Sequence, residues 1–562
     1  MFQIYYKKND NSALFKEFDS NNIKKIQNYI PLYGKFFNLQ ETNYKNINLN
    51  QPCHITSLEK TEQKNTYNCK VESGENTESA KAFFKFSPLI DPIKFMTGKY
   101  ENLTVDMKMA LPKLSQNKCH SKVLDSNNSA YVDGFFTYLT SNILHKHKFI
   151  HGLDFFGSFL GIQENFNINI FDDLEYLNDS KYFHKHKGEL FDIEAIDKEM
   201  FFDGDTRNYK KKLQIDKNIS NKSVYSLNGE NFDNLFITTN TVNAPVKLTE
   251  ALVFEFNQRN IENIKNSSRK SESTCSSRSS HTSTGSNEDI EENSSKEEEE
   301  SLSSLSSMDS DIICNAVIKD FPVQIICLEK MEATLDSLLA EELSDNEWRS
   351  CLFQIIMTLI AYQKMFNFTH NDLHTNNIMF NKTDKQFLYY RYNKVYYKVP
   401  TFGRLFKIID FGRAIYSFNS KLICSDSFHP KGDAATQYNC QPYMNEKKPR
   451  LDPNLSFDLC RLGCALYDFF IDDIDDVKTG GDPIAALISE WCCDDKGRNI
   501  LYKKCGEERY PDFKLYKMIA RSVHNHTPEK QVSKPVFTSF ISNRKKCGKK
   551  KFMDIDTLPV YV

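Results

Sequence analysis

The chain has 562 residues, of which 40% are hydrophobic and 26% are charged, a composition typical of a globular protein larger than one small domain. The net charge of −3 gives no strong nucleic-acid signal, and the N-terminus MFQIYYKKNDNS lacks the apolar run of a secretory signal. No stretch reaches the roughly 18 apolar residues of a membrane span. The 15 cysteines form no compact framework. We expect an intracellular protein with reduced thiols that is neither secreted nor transmembrane.

The first predicted elements lie within residues 53–144. Residues 53–71 are predicted to form a hairpin, and residues 82–86 (AFFKF) a strand with one internal lysine. The apolar spacing of residues 130–144 predicts a helix. The later ones are a buried strand at 321–328, a long amphipathic helix at 347–366, a Tyr-rich hairpin at 388–399, a strand at 405–409 and an apolar helix at 457–471.

One long segment breaks this pattern. Residues 263–311 are rich in Ser and Glu and have almost no apolar content, so they cannot bury enough surface to offset the entropy of ordering. We expect them to be disordered. Because 241–256 and 321–328 on either side have strand-like spacing, the segment is predicted to interrupt a folded domain and not to separate two domains.

The segment 369–379 (THNDLHTNNIM) carries the most informative polar pattern. His370-Asn371-Asp372 followed by Asn377 fits H-x-D-x-x-x-x-N, and the segment resembles the catalytic loop of the protein kinase superfamily. The resemblance implies that Asp372 orients the substrate hydroxyl and that Asn377 binds a magnesium ion. A carboxylate suits the first role and a carbonyl oxygen the second, since Mg²⁺ prefers oxygen ligands. The alternative is a polar, Asn-rich loop.

Two further motifs follow in the order that this resemblance requires. Asp410-Phe411-Gly412 comes directly after an apolar strand and resembles the D-F-G element, which implies that Asp410 binds magnesium on the ATP phosphates. Asp458 opens DLCRLG, which resembles the D-x-W-x-x-G start of a buried kinase helix. There the aspartate would support the loop that carries Asp372. The alternative is an ordinary aspartate capping its own helix.

Lys85 is the expected cation. A lysine between apolar residues of a strand costs free energy unless its charge is used, and Lys85 resembles the V-A-I-K lysine that contacts the ATP phosphates. The family partner is a helical glutamate, for which the best candidate is Asp133, one carbon shorter. The alternative is an edge-strand lysine that points to solvent.

The segment 326–339 (ICLEKMEATLDSLL) resembles the last small-lobe strand, the hinge and the next helix. The resemblance implies that Leu328 is the gatekeeper. It also implies that the backbone of Glu329 and Met331 faces adenine.

The resemblance implies an α+β, bilobal protein-kinase fold with a small β-rich lobe and a mainly helical lobe. The predicted parts are an N-terminal extension at 1–50, the small lobe at 51–332 with an insertion at about 163–311, the large lobe at 333–540, and a basic, solvated tail at 541–562. The implied activity is transfer of phosphate from ATP, with Mg²⁺, to serine or threonine of a protein substrate.

The sequence also departs from the family pattern. No glycine occurs between Gly34 and Gly74, where a Gly-rich phosphate loop is expected, and no A-P-E tripeptide precedes the 457–471 helix. Asn371 replaces the arginine that usually pairs with a phosphorylated activation loop, and His374 replaces a lysine. With the long insertions, these features resemble kinase-like proteins of giant DNA viruses, which would place the chain in host cytoplasm or virion.

Two other functions remain open at this point. The missing Gly-rich loop and His374 are compatible with a pseudokinase that binds or scaffolds without transferring phosphate. HNDLHTNNI also resembles the H-G-D-L-H-x-x-N loop of aminoglycoside and choline kinase-like enzymes, which act on small molecules.

Overall fold

A computed structural model describes residues 2–100, 104–115, 118–193, 314–341, 343–471, 482–547 and 551–562. All of them belong to one compact unit. The segments predicted to be strand-like at 241–256 and disordered at 263–311 lie outside the described residues.

The described chain contains both strands and helices. The strands are β1 (Tyr6–Lys8), β2 (Ile23–Gln27), β3 (Ile47–Leu49), β4 (Cys53–Lys60), β5 (Thr66–Ser73), β6 (Asn76–Pro88), β7 (Phe155–Asn169), β8 (Phe191–Ile193), β9 (Asn315–Glu329), β10 (Ala333–Thr334), β11 (Ile378–Lys382), β12 (Phe387–Tyr392), β13 (Val395–Pro400), β14 (Arg404–Ile408), β15 (Ile415–Phe418), β16 (Lys421–Cys424), β17 (Ile541–Ser542) and β18 (Met553–Asp554). The α-helices are α1 (Ser12–Ser20), α2 (Pro92–Met96), α3 (Val105–Lys108), α4 (Ser121–Leu124), α5 (Ser129–His147), α6 (Leu174–Asn178), α7 (Lys181–His186), α8 (Leu335–Leu338), α9 (Asp345–Phe366), α10 (Phe457–Phe470), α11 (Pro483–Trp491), α12 (Phe513–Ser522), α13 (Pro528–Gln531) and α14 (Arg544–Cys547).

The first half of the fold is an antiparallel sheet in the order β2-β7-β9-β6-β5-β4, with β8 also paired to β9. The central strand β9 is buried at every position from Phe321 to Leu328, which explains why this stretch is apolar except at Gln324. Helix α5 is buried along almost its whole length, and the Asn128 side chain accepts the Ala130 N–H at its start.

The second half combines helices α8 to α13 with small sheets. The strands β10, β11 and β14 form one sheet, and β15 pairs with β16. The long helix α9 begins where the Glu347 carboxylate accepts the Ser344 N–H at 2.9 Å. The β12–β13 hairpin turns at Asn393 and Lys394, both with φ near +50 to +60° (49° and 63°), as a two-residue hairpin turn requires.

The N-terminal and C-terminal segments join these two halves. Strand β2 pairs with β7 of the large sheet, so part of the predicted extension at 1–50 belongs to that sheet. At the other end, the predicted solvated tail is only partly solvated. Arg544 and Lys545 are exposed, but Met553, Ile555 and Tyr561 are buried because their apolar side chains pack onto the fold. Strand β18 pairs with β12, and the Tyr561 ring stacks on Phe366 at 5.5 Å.

The predicted α+β class is confirmed, since antiparallel sheets and helices occur together. The strands, hairpins and helices predicted within the described ranges are confirmed as well, with ends that differ by a few residues. None of the helices in the described ranges combines the length and apolar character needed to cross a bilayer.

Candidate functional site

Lys85 lies between two carboxylates from distant parts of the chain. Its Nζ is 2.7 Å from Asp133 Oδ2 on α5 and 2.8 Å from Asp410 Oδ1. Lys85 pairs with Ile326 of β9, while β5 pairs with β6 only as far as Phe83. Because the Lys85 ammonium contacts two carboxylates, the alternative of a lysine that points to solvent is wrong.

Burial and neighbouring charges shift the pKa values of Lys85, Asp133 and Asp410 in different directions. Burial lowers the pKa of Lys85, but the two carboxylates outweigh it and the net effect raises that pKa. Burial raises the pKa of Asp133, whereas for Asp410 the Lys85 ammonium overcomes burial and lowers the pKa. The Asp410 side chain is 43% exposed and that of Lys85 29%. A charged ammonium and an ionised carboxylate are thus both reachable from outside.

Asp133 is the carboxylate that was predicted to pair with Lys85, and the structure brings the two together. Its Oδ2 accepts from Lys85 while its Oδ1 accepts the Phe411 N–H at 2.9 Å. The next residue, Gly134, has no side chain to hold α5 away from β9, because a Cβ there would lie 2.2 Å from Gln324 Nε2. Gly134 therefore allows α5 to lie close to β9.

The backbone at Asp410 turns sharply. Asp410 has φ +62°, and its Oδ1 also accepts the Gly412 N–H at 3.3 Å. Phe411 is fully buried, with ring centroids 4.7 Å from Phe136 of α5 and 5.7 Å from His370. Phe411 therefore ties α5 to the loop that carries Asp372.

The loop around Asp372 is held by Asp458. The two Asp458 oxygens accept the N–H groups of His370 and Asn371, each at 2.9 Å, although burial raises the pKa of Asp458. These contacts support the loop, not the helix that contains Asp458. The ring of His370 also bonds through Nε2 to the Ile409 carbonyl at 2.9 Å, which places the loop beside the strand leading to Asp410.

The Asp372 carboxylate is hydrogen-bonded to Tyr516, a residue that the sequence did not indicate. Asp372 Oδ1 accepts the Tyr516 hydroxyl at 2.8 Å and lies 3.8 Å from an Arg413 nitrogen. The Tyr516 oxygen in turn accepts Arg461 Nε–H at 2.9 Å. The Asp372 side chain is only 10% exposed. Tyr516 is on α12, so its role depends on tertiary packing that no local motif records.

Asn377 and His374 line the next part of the loop. Asn377 Nδ2 donates to the Asp372 carbonyl at 2.8 Å and to His374 Nε2 at 3.1 Å. Burial lowers the pKa of His374 to about 4, so the imidazole is neutral at pH 7 and can accept this bond. Asn377 Oδ1 has no hydrogen bond among the described residues, which leaves it able to bind a cation.

The predicted hinge joins the two halves. Leu328 and Met331 have buried side chains. The Glu329 N–H donates to Asp154 O at 2.9 Å, so that group is not free for a ligand. The Glu329 carboxylate binds Lys407 Nζ at 2.6 Å on β14. In the described part of the chain, the Met331 N–H has no backbone partner.

The segment after Asp410 is held by side-chain hydrogen bonds and an ion pair. Asp426 accepts the Ser129 N–H at the start of α5 at 2.9 Å and forms an ion pair with Lys122. The side-chain oxygen of Asn371 accepts the Tyr438 hydroxyl at 2.8 Å. These contacts connect the segment to α5 and to the Asp372 loop.

The predicted hairpin at 53–71 is confirmed and lies beside Lys85. The Phe84 N–H donates to the Asn65 carbonyl at 2.8 Å, and the exposed tip of the hairpin carries Glu62, Gln63 and Lys64.

Comparisons with known proteins give limited information. No family model matches the chain. The chain is similar to "Uncharacterized protein 098R" of Invertebrate iridescent virus 6, with 31% identity over 130 residues. The match covers 22% of this chain and 20% of the viral protein, so it spans about a fifth of that relative. This relative is a viral protein whose name gives no activity.

Proposed function

We propose that this chain is a divergent, bilobal protein kinase that transfers the γ-phosphate of ATP to serine or threonine of a protein substrate. The observation that carries the proposal is the contact of Lys85 Nζ with both Asp133 and Asp410. A lysine paired with a helix carboxylate, beside an aspartate that can bind metal, is the arrangement that positions ATP phosphates in protein kinases.

Each residue has a defined task in this proposal. Lys85 binds the negative phosphates, and the adenine lies against Leu328 with hydrogen bonds to the Glu329 carbonyl and the Met331 N–H. Asp410 and the Oδ1 of Asn377 are the oxygen ligands suited to Mg²⁺. When bound, Mg²⁺ neutralises charge on the phosphate oxygens.

Asp372 is the residue that contacts the substrate hydroxyl that receives the phosphate. Its carboxylate accepts a hydrogen bond from the substrate hydroxyl and orients the oxygen toward the phosphate. His374 is neutral at pH 7 and adds no charge. Asp458 supports the loop that carries Asp372, as the resemblance to protein kinases implies. This favours a protein acceptor over an aminoglycoside or choline. We place the reaction inside the cell, in host cytoplasm or virion if the chain is viral.

A pseudokinase is the second candidate, and a specific contact favours it. The Asp372 side chain is nearly buried and its Oδ1 already accepts the Tyr516 hydroxyl, so Oδ1 is occupied and access for a substrate hydroxyl is narrow. The hairpin tip also lacks the glycines that let backbone N–H groups approach phosphates.

Phosphate transfer from labelled ATP separates these functions. Wild type, Asp372→Asn and the exposed control Asp384→Asn are incubated with Mg²⁺ and panels of proteins, aminoglycosides and choline. We expect label on protein serine or threonine with wild type and the control, and a loss of at least a hundredfold with Asp372→Asn. Equal labelling by both variants would contradict the proposal, and label only on small molecules would favour the other enzyme class.

A further inference from the structure

A second cluster of reactive side chains lies outside the Lys85 site. Cys53 at the start of β4, His145 in the last turn of α5 and Asp154 just before β7 direct one ligand atom each to a common point, within 4.8 Å of one another. Cys53 Sγ is 3.8 Å from His145 Nε2, and the same nitrogen is 2.8 Å from Asp154 Oδ1.

The use of one nitrogen distinguishes this cluster from a nucleophilic triad. In a Cys-His-Asp triad the carboxylate binds one ring nitrogen and the thiol faces the other, so that a proton can pass between them. Here Sγ and the carboxylate both meet Nε2 of His145. The thiol, the imidazole nitrogen and the carboxylate oxygen are close enough together to bind one cation, whereas a proton relay would need both ring nitrogens.

The donor types and distances select the cation. Thiolate and imidazole are poor ligands for Mg²⁺ and Ca²⁺ but suit Zn²⁺, which also binds carboxylate oxygen. Zn–S of about 2.3 Å and Zn–N of about 2.0 Å in a tetrahedral site separate the two donors by about 3.5 Å. The observed 3.8 Å from Cys53 to His145 is close to that value, while His145 and Asp154 need to separate by about 0.5 Å.

The surroundings hold the ligands and leave an entry path. The Ser141 hydroxyl, one turn before His145, lies 3.3 Å from the Asp154 carboxylate and fixes its orientation. Cys53 is buried, whereas His145 and Asp154 are 28% and 24% exposed, so a hydrated ion can reach them. The open side leaves a fourth position for water.

We propose that Cys53, His145 and Asp154 form a zinc site with three protein ligands. The ion would join the start of β4, the end of α5 and the residue before β7. Asp154 also bonds twice to Glu329, through the Glu329 N–H and the Glu329 carboxylate, so the site adjoins the predicted hinge. Binding displaces the thiol proton and the proton shared by His145 and Asp154.

Metal content and cobalt absorption test the site in the full chain. Wild type, Cys53→Ser and His145→Gln are compared with Cys69→Ser, which removes a buried cysteine of the neighbouring strand that is outside the cluster. Each protein is loaded with Zn²⁺ or Co²⁺ and desalted. We expect wild type and Cys69→Ser to keep one more ion per chain than the other two, with a thiolate-to-cobalt absorption band that Cys53→Ser and His145→Gln lack.

Thermal melts keep the test decisive if a variant folds poorly. Zn²⁺ should raise the Tm of wild type and Cys69→Ser and leave that of Asp154→Asn and His145→Gln unchanged. Wild type that retains no ion, or Cys53→Ser that matches wild type in ion content and cobalt spectrum, would overturn the proposal. In either case the remaining explanation is a His145–Asp154 ion pair beside an unrelated thiol.

Discussion

Tyr516 links the proposed catalytic carboxylate to a buried arginine. Its hydroxyl donates to Asp372 and accepts from Arg461, and the guanidinium of Arg461 also lies over its ring at 5.2 Å. Burial raises the pKa of Tyr516, so the hydroxyl keeps its proton and remains a donor at neutral pH. The hydroxyl therefore holds the Asp372 side chain in one orientation.

Tyr516→Phe removes only this hydroxyl. We expect the free energy of unfolding to fall by about 1–3 kcal/mol, because a buried hydrogen-bonded group loses its partner. We also expect kcat to fall about tenfold with little change in KM for ATP, since the Lys85 site is untouched. Chemical denaturation and steady-state kinetics measure the two effects.

Tyr510→Phe is the matched control for this prediction, because Tyr510 is partly buried near the same helix and does not contact Asp372. It should leave both kcat and stability close to wild type. A rise in kcat for Tyr516→Phe would show instead that the tyrosine blocks Asp372 from its acceptor.

At the scale of elements, α5 positions one of the two carboxylates that contact Lys85. The helix supplies Asp133 to Lys85 and Phe136 to the aromatic contact with Phe411. Asp426 binds its N-terminus, and Gly134 sets its distance from β9. A change in the position of this one helix therefore alters the charge arrangement at Lys85.

Gly134→Ala tests that dependence. The added methyl group would lie 2.2 Å from Gln324 Nε2, so either the glutamine or the helix has to move. We expect a loss of about 1–3 kcal/mol in stability and weaker ATP binding, because overpacking displaces Asp133. Denaturation and nucleotide titration are the measurements.

Gly34→Ala provides the comparison, since a Cβ at Gly34 has nothing within 4 Å. It should change neither stability nor ATP affinity by a measurable amount. Unchanged ATP affinity in Gly134→Ala would contradict the role assigned to the helix position.

Part of this arrangement could be predicted from sequence. Lys85, Asp372 and Asp410 belong to short motifs whose residue types follow from their chemistry, and strong apolar spacing located α5 and β9. Tyr516 could not be found, because it is 144 residues from Asp372 and no local pattern connects them. Strand β2 was missed because its sequence IKKIQ has too few apolar residues to give a clear period.

At the scale of the whole molecule, His151 connects the two halves. It lies in the turn after α5, fully buried, with Nδ1 donating to the Phe406 carbonyl and Nε2 accepting the Tyr390 hydroxyl, each at 2.7 Å. Burial lowers its pKa to about 4. The folded protein therefore requires the neutral imidazole in order to keep both contacts.

This pKa predicts an acid-dependent loss of stability. The unfolded chain takes up a proton at His151 near its ordinary pKa of about 6.5, whereas the folded chain does so only near 4. The free energy of unfolding should therefore fall as pH drops from about 6.5 to 4, by about 3 kcal/mol at most from this residue. Urea denaturation across that pH range measures the slope.

His151→Gln should make the slope between pH 6.5 and 4 shallower but not remove it, because His374 also has its pKa lowered to about 4. It should lower stability at pH 7 by about 1–2 kcal/mol through the lost hydrogen bonds. The exposed His524 is the control, and His524→Gln should keep the wild-type slope. A slope that His151→Gln leaves unchanged would assign the acid sensitivity to other groups.

The central claim is that Lys85, Asp133 and Asp410 together bind Mg·ATP. Calorimetric titration of Mg·ATP into wild type, Lys85→Met and the exposed same-strand control Lys81→Met tests it most directly. We predict equal affinity for wild type and Lys81→Met, and binding at least tenfold weaker for a folded Lys85→Met. Wild type that does not bind Mg·ATP, or Lys85→Met that binds it as wild type does, would contradict the claim.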